Sequence, residues 1–169
     1  MANVNKEQAL IEFLRGCSEI ASNPLFFNFI NAKPDNQQLI TNGNDRSVHK
    51  PYIDGSVLKR YTLTVIVFKS ATYQAVVTPP TQLPGETDAY INENVEEYID
   101  IQAIIDWVDE QNDTHNYPSF GSDCQIEEMK VLTDNPVLNG VDTQLKPALA
   151  KYSFSIQIDY IDTGKTITN

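Results

Sequence analysis

A chain of 169 residues, 41 % of them apolar, has the mass for one domain with its own core, and no run of about 18 apolar residues offers a membrane span. Its formal charge of −11 argues against gripping a phosphate backbone, a task for clustered Lys and Arg, but suits a wall that repels phosphates and lets a duplex pass. Cys17 and Cys124 stand far apart in no metal-like spacing and read as unpaired thiols, and the opening MANVNKEQAL lacks the basic and apolar regions of an export signal.

Residues 5–20 place Ala9, Leu10, Phe13, Leu14, Cys17 and Ile20 on one helical face. Asn5 fits an N-cap, Gln8 completes a capping-box pattern, and Asn23-Pro24 stops the run, so one helix of about four turns is expected. The stretches LFFNFI (25–30) and QQLIT (37–41) read as short strands of a hairpin around the turn Lys33-Pro34-Asp35-Asn36. Asn42-Gly43-Asn44-Asp45 reads as another turn, and His49 as a solvated residue of a polar connection.

The longest β-prone stretch follows Pro51 and the turn Asp54-Gly55. From 61 to 68, Tyr61, Leu63, Val65 and Val67 alternate with Thr62 and Thr64, as on a strand with one face in the core. At Ile66 and Phe68 the second face turns apolar too, which predicts a central strand covered on both sides at its far end.

Residues 78–88 hold Pro79, Pro80 and Pro84, which exclude helix and strand. The surrounding loop, 71–90, reads as an arm that orders against a neighbour or as a merely flexible loop. A second helix is expected over residues 93–111. Its apolar stripe is Val95, Tyr98, Ile99, Ile101, Ile104, Ile105, Trp107 and Val108, with Asn94 and Glu97 as a capping pair. Its other face carries Glu93, Glu96, Glu97, Asp100, Asp106, Asp109 and Glu110 with no base among them. A solvated face explains this better than a carboxylate active site or a metal site, and part of it suits a basic surface on another subunit.

Residues 112–123 read as a loop, 126–132 as a strand, and 133–145 as a long turn or second projecting loop. From Ala150 to Tyr160 apolar and polar residues alternate without a break, as on a long antiparallel strand with one wet face. Residues 163–169 read as a flexible tail. The order predicts a single α+β domain, 1–162, of two layers: an antiparallel β-sheet covered on one face by two helices.

Catalytic signatures are thin. Gly-x-Ser-x-Gly, His-Glu-x-x-His and Cys-x-x-Cys are all missing, and Gly164-Lys165-Thr166 has Asp159 where a phosphate loop needs glycine. Asp113, His115 and Cys124 read as chance company in a polar loop, so no catalytic residue, metal or cofactor is expected.

KPYIDGSVLKRY (50–61), followed by a strand, resembles the KxYIDGSxLRxY stretch of small phage proteins described as minor capsid proteins, from tailed phages and prophages of Gram-positive bacteria. DWVDEQN (106–112) is similar to that family's DWLEEQN, Tyr117-Pro118 follows in the next loop, a strand carries 126–133, and AKYSFSIQIDY (150–160) resembles its closing strand. The family in turn resembles tail terminators, α+β subunits that form a ring, usually six-fold, capping the tail tube at the end that joins the head. The resemblance implies a homohexamer that contacts the tail tube protein and the neck or head-completion proteins. It implies assembly in the host cytoplasm into the virion, with DNA passing through without specific binding. Residues 78–88 look longer than usual for the family. On this reading Tyr52, Asp54, Gly55, Pro79, Pro80 and Pro84 are candidate subunit contacts, although Asp54-Gly55 also reads as a turn alone. Glu93, Glu96, Asp100, Asp109 and Glu110 are the candidate acidic lining of a channel. The competing readings are a head–tail joining protein on the portal side and a small cytosolic hydrolase using carboxylates of the second helix.

Overall fold

Two strands of 15 residues each, Val57–Ala71 and Ala148–Asp162, pair antiparallel along their whole length and form the axis of the sheet. The computed structural model describes residues 5–41, 47–71 and 93–164. In chain order the elements are α1 (Lys6–Leu14), α2 (Ser18–Ala21), β1 (Leu25–Phe27), β2 (Gln37–Thr41), β3 (Ser47–Pro51), β4 (Val57–Ala71), α3 (Glu93–Asp113), β5 (Cys124–Val131), β6 (Val137–Asp142) and β7 (Ala148–Asp162). The seven strands run β1-β2-β4-β7-β5, with β3 also on β4 and β6 also on β7, and do not close into a barrel. Each long strand is thus flanked by two short ones end to end. β2 and β3 share the free edge of β4, and β5 and β6 share that of β7.

Period-2 alternation sets the faces of the ribbon. Tyr61, Leu63, Val65 and Val67 of β4 and Tyr152, Phe154, Ile156, Ile158 and Tyr160 of β7 are buried on one side. Leu10 and Leu14 of α1, Ile20 of α2, and Ile101, Ile104, Ile105 and Val108 of α3 join the same cluster. The α3 residues follow i, i+3, i+4, i+7, which aims one stripe at the sheet. On the opposite face, Thr64 and Ser155 lie across from each other with hydroxyls 3.1 Å apart. Further along that face Ile66, Phe68 and Leu149 are buried with Ile40 against them, as the apolar turn of the even positions predicts.

Several local expectations give way. The expected single helix over 5–20 is two, because the chain tightens at Gly16, whose N–H reaches the Phe13 carbonyl at 2.9 Å. A β-carbon there would stand 3.0 Å from that oxygen and 3.4 Å from the Trp107 ring, so glycine both interrupts α1 and lets the turn approach α3. Asn5 Oδ1 accepts from the Gln8 N–H as a cap, but the Gln8 side chain turns to Glu12 instead of closing the box.

The strands at 25–30 and 37–41 do not form a hairpin. β1 runs parallel to β2, Leu25 opposite Gln37, while the other strand pairs among the described residues are antiparallel. After Phe27 the chain leaves the sheet at Asn28, in the left-handed region at φ 48°, and returns so that the Gln37 N–H meets the Pro24 carbonyl at 2.9 Å. The Asn28 amide then bonds Thr41, pinning the detour to the far end of β2. Residues 47–51, read as a polar connection around His49, form an edge strand with a bulge between Val48 and Lys50. Residues 137–142, read as turn or loop, form β6, whose bulge falls between Leu138 and Gly140 and puts Gly140 at φ 140°. Ile99 is exposed rather than part of the apolar stripe, because the stripe through Ile101 to Val108 puts it on the far side of α3. The turn 42–45, loop residues 72–90 and tail residues 165–169 lie outside the described residues, whereas Thr163 is held by the Asp123 carbonyl.

Candidate functional site

The YIDGS stretch folds into the connection between β3 and β4. The Tyr52 N–H donates to the Ser56 carbonyl and the Gly55 N–H to the Tyr52 carbonyl, while Gly55 takes φ 86°, a value glycine reaches without strain. Asp54 Oδ1 accepts from the Ser56 hydroxyl at 2.6 Å and the Ser56 N–H at 3.0 Å, and these bonds hold its carboxyl below the usual range. Asp54 and Gly55 therefore have a complete local role in shaping the turn. Tyr52 is exposed beside Lys50, whose ammonium lies 5.3 Å from the ring centroid. Ile53, at the tip, is fully exposed. Turn chemistry accounts for Asp54 and Gly55 but not for an isoleucine exposed at the tip.

Other large apolar side chains also stand outside. Val137, Leu138 and Val141 of β6 are exposed, and every residue of that edge strand is. Phe29 and Ile30 are exposed on the detour between β1 and β2. Val48 is exposed on β3. Nothing in the spacing of VLNGVD marked it as an edge, since its strand character comes from pairing with residues 149–153 of β7.

The acidic residues of α3 split into two groups. Glu96 and Asp100 are one turn apart and exposed, and Glu110 is exposed further along the helix. Asp109 is also exposed, and its carboxyl is pushed above the usual range, first by partial burial and then by Asp106, Asp113 and Asp134. Glu93 belongs to α3, but its side chain lies outside the described residues, as do Pro79, Pro80 and Pro84.

The α3 face is not uniformly anionic. Lys69 of β4, its side chain only 7 % exposed, sits 2.7 Å from Glu97, 3.1 Å from Asp35 and 3.3 Å from Asp100. Burial works to lower its pKa, but the bonds to Glu97 and Asp35 outweigh it and the net shift is upward. The ammonium thus ties α3 to the sheet. Lys69 continues the inward-facing series 61, 63, 65, 67, so period-2 logic carried through Lys69 would have placed a charge against the acidic helix.

On the other sheet face Arg60 grips Asp159 through two bonds of 2.8 Å, and near one end of the ribbon Lys59 reaches Asp162 at 2.6 Å. Both carboxyls are held below their usual range, chiefly by these bonds. The His115 ring lies tilted against that of Tyr117 and its Nδ1 is 3.3 Å from the Asp113 backbone carbonyl, while burial pushes the Cys124 thiol up. Among the described residues no group of His, Cys, Asp and Glu is arranged to hold a metal, and no helix is long and apolar enough to cross a membrane. No protein-family model matches this chain, and comparison with curated proteins returns no match.

Proposed function

We propose that this chain is a structural subunit that joins copies of itself into a closed ring, as the phage tail terminators it resembles do. On this reading the ring is a hexamer that caps a tail tube at its head-proximal end and meets neck proteins on the other side. It assembles in the host cytoplasm and is carried in the virion. The subunit is then a two-layer α+β body, with α1 and α3 on one face of the sheet.

The supporting observation is the placement of exposed apolar side chains. Ile53 and Val48 lie at the β3 corner, on the β4 edge, whereas Val137, Leu138 and Val141 lie at the β6 corner, on the β7 edge. β3 flanks residues 57–60 and β6 flanks the end of β7 that pairs with residues 66–71, so the two corners are diagonally opposed. A patch that meets a different patch on the next copy is a head-to-tail contact, and such contacts close into rings when the rotation permits. An open strand edge with apolar side chains is what a soluble subunit avoids unless something covers it. Glu96 and Glu110 share an exposed side of α3, with Asp109 exposed on its flank, and such a side in a lumen repels the phosphates of passing DNA without binding them.

The test is sedimentation velocity of Ile53→Asp and Val141→Lys variants beside the wild-type protein. Both changes are at exposed positions, so each monomer keeps its stability within about 0.5 kcal/mol. The proposal expects each to shift the assembly toward monomer. Unchanged assembly in both overturns it.

A further inference from the structure

α3 closes one part of the sheet edge beyond β7 and leaves another part open. Asn112 Oδ1 accepts from the Met129 N–H of β5 at 2.9 Å, and the Asp109 carboxylate accepts from the Val131 N–H. Toward the start of the helix, Gln102 Nε2 donates to the Asp134 carbonyl at 3.2 Å and the Tyr98 hydroxyl to Asn135 Oδ1 at 3.1 Å. These four side chains share one side of α3 and hold the chain from 129 to 135. N–H groups of β5 that are spent on a helix are no longer offered to another strand.

The row stops where β6 begins. Among the described residues no side chain of α3 bonds β6, and the side-chain bonds of that strand stay within its own hairpin. Asn139 Nδ2 reaches Ser153 Oγ and the Val137 carbonyl, and Asp142 Oδ1 accepts from the Gln144 N–H. β6 pairs with β7 along one edge only, and an antiparallel strand turns alternate N–H and C=O groups away from its partner. Every residue of β6 is exposed, so this edge is accessible as well as unguarded.

The strand that fits it stands at the opposite corner. β3 pairs with β4 along one edge, has five residues against the six of β6, and carries the exposed Val48. β3 is antiparallel to β4, β4 to β7 and β7 to β6. β3 and β6 therefore run in opposite senses, and two copies set side by side in one continuing sheet bring them together antiparallel. Charge supports the same match. A chain of formal charge −11 repels its own copies unless the touching surfaces are poor in acids or opposite in sign. The ionisable residues of β3 are His49 and Lys50, and that of β6 is Asp142.

We infer that β6 is an acceptor edge that takes β3 of a second copy as an added antiparallel strand, main chain to main chain, while Asn112 and Asp109 keep β5 closed to the same pairing. The inference rests on the proposed ring and names the bonds at its contact.

The experiment compares amide hydrogen exchange in the full chain, peptide by peptide, at concentrations below and above assembly. Residues 47–51 and 137–142 should slow by at least about ten-fold on assembly, while Met129 and Val131 are protected in the monomer already. Oxidation of a mixture of Val48→Cys and Val141→Cys chains identifies the added strand, with the mixed disulfide as the expected product by mass spectrometry of linked peptides. Assembly with unchanged exchange over 137–142 overturns the inference and leaves the ring standing. Val141→Cys linked only to itself sets β6 against β6 and overturns the choice of β3. Absence of assembly at every concentration removes the ring and this contact together.

Discussion

Replacing Lys69 with methionine tests how α3 is held to the sheet. Methionine keeps most of the apolar stem and removes only the ammonium, so the packing of the stem changes little. Removing one partner of a fully buried ion pair costs about 3–5 kcal/mol, because the other charge is stranded away from water. Here the partners differ: the side chains of Asp35 and Asp100 are 51 % and 59 % exposed and can regain water, while that of Glu97 is 25 % exposed. Only one pair bears much of the penalty, which brings the expected loss to about 1–3 kcal/mol. With a urea slope of about 2 kcal/mol/M, the midpoint of unfolding should fall by about 0.5–1.5 M. A double-mutant cycle with Glu97→Gln should return a coupling of at least about 0.5 kcal/mol. The pH dependence has a definite sign. The folded pKa of Lys69 is raised, so its contribution is complete below the ordinary lysine value and is lost only as pH climbs through the higher folded one. The difference between wild type and variant should therefore stay flat from neutral pH to about 10 and shrink beyond it. A Lys69→Met protein as stable as wild type, with no coupling to Glu97, would refute the claim that this ammonium ties helix to sheet.

Three further outcomes are expected. Ile156→Ala, at a fully buried position in the middle of β7, should cost about 2–5 kcal/mol in denaturant unfolding. A loss under 1 kcal/mol would mean that the ribbon is not the core's floor. Asp159 is held below the usual carboxyl range by Arg60, so its contribution is present above about pH 4 and is lost as pH falls through the lower folded value. Asp159→Asn should accordingly remove part of the acid-side slope of the stability curve, and an unchanged slope would exclude the pair as its source. Gly55→Ala should destabilise by about 1 kcal/mol despite open space around the site, because φ is 86° there. Thermal midpoints decide this, and no change would mean that the turn relaxes.

The parts legible in the amino-acid order are those fixed by local periodicity. β4 and β7 alternate so regularly that their faces, and the double-sided burial at Ile66 and Phe68, follow from reading every second residue. Ile101, Ile104, Ile105 and Val108 likewise predict the inward stripe of α3. Pairing partners were not legible. Whether residues 25–27 meet 37–39 in parallel or antiparallel depends on the path of residues 28–36, where Asn28 and Asp35 adopt positive φ. β6 becomes a strand only because β7 extends past the end of β5 and offers it an edge. The helical spacing of its neighbours predicts a helix running through Gly16, while the approach of Trp107 that glycine allows is a long-range fact. Of the candidate interface, the turn at Asp54-Gly55 was readable and the exposure of Ile53 was not, since hydropathy alone does not say which side of a turn faces water.

Self-association is the claim on which the functional reading stands, and electron microscopy of the purified full chain over a concentration series addresses it most directly. The account predicts closed six-fold rings built head to tail, with the β3 corner of one subunit against the β6 corner of the next and the acidic face of α3 toward the lumen. Isolated monomers at every concentration, or a two-fold dimer joined through the same patch on both copies, would contradict it.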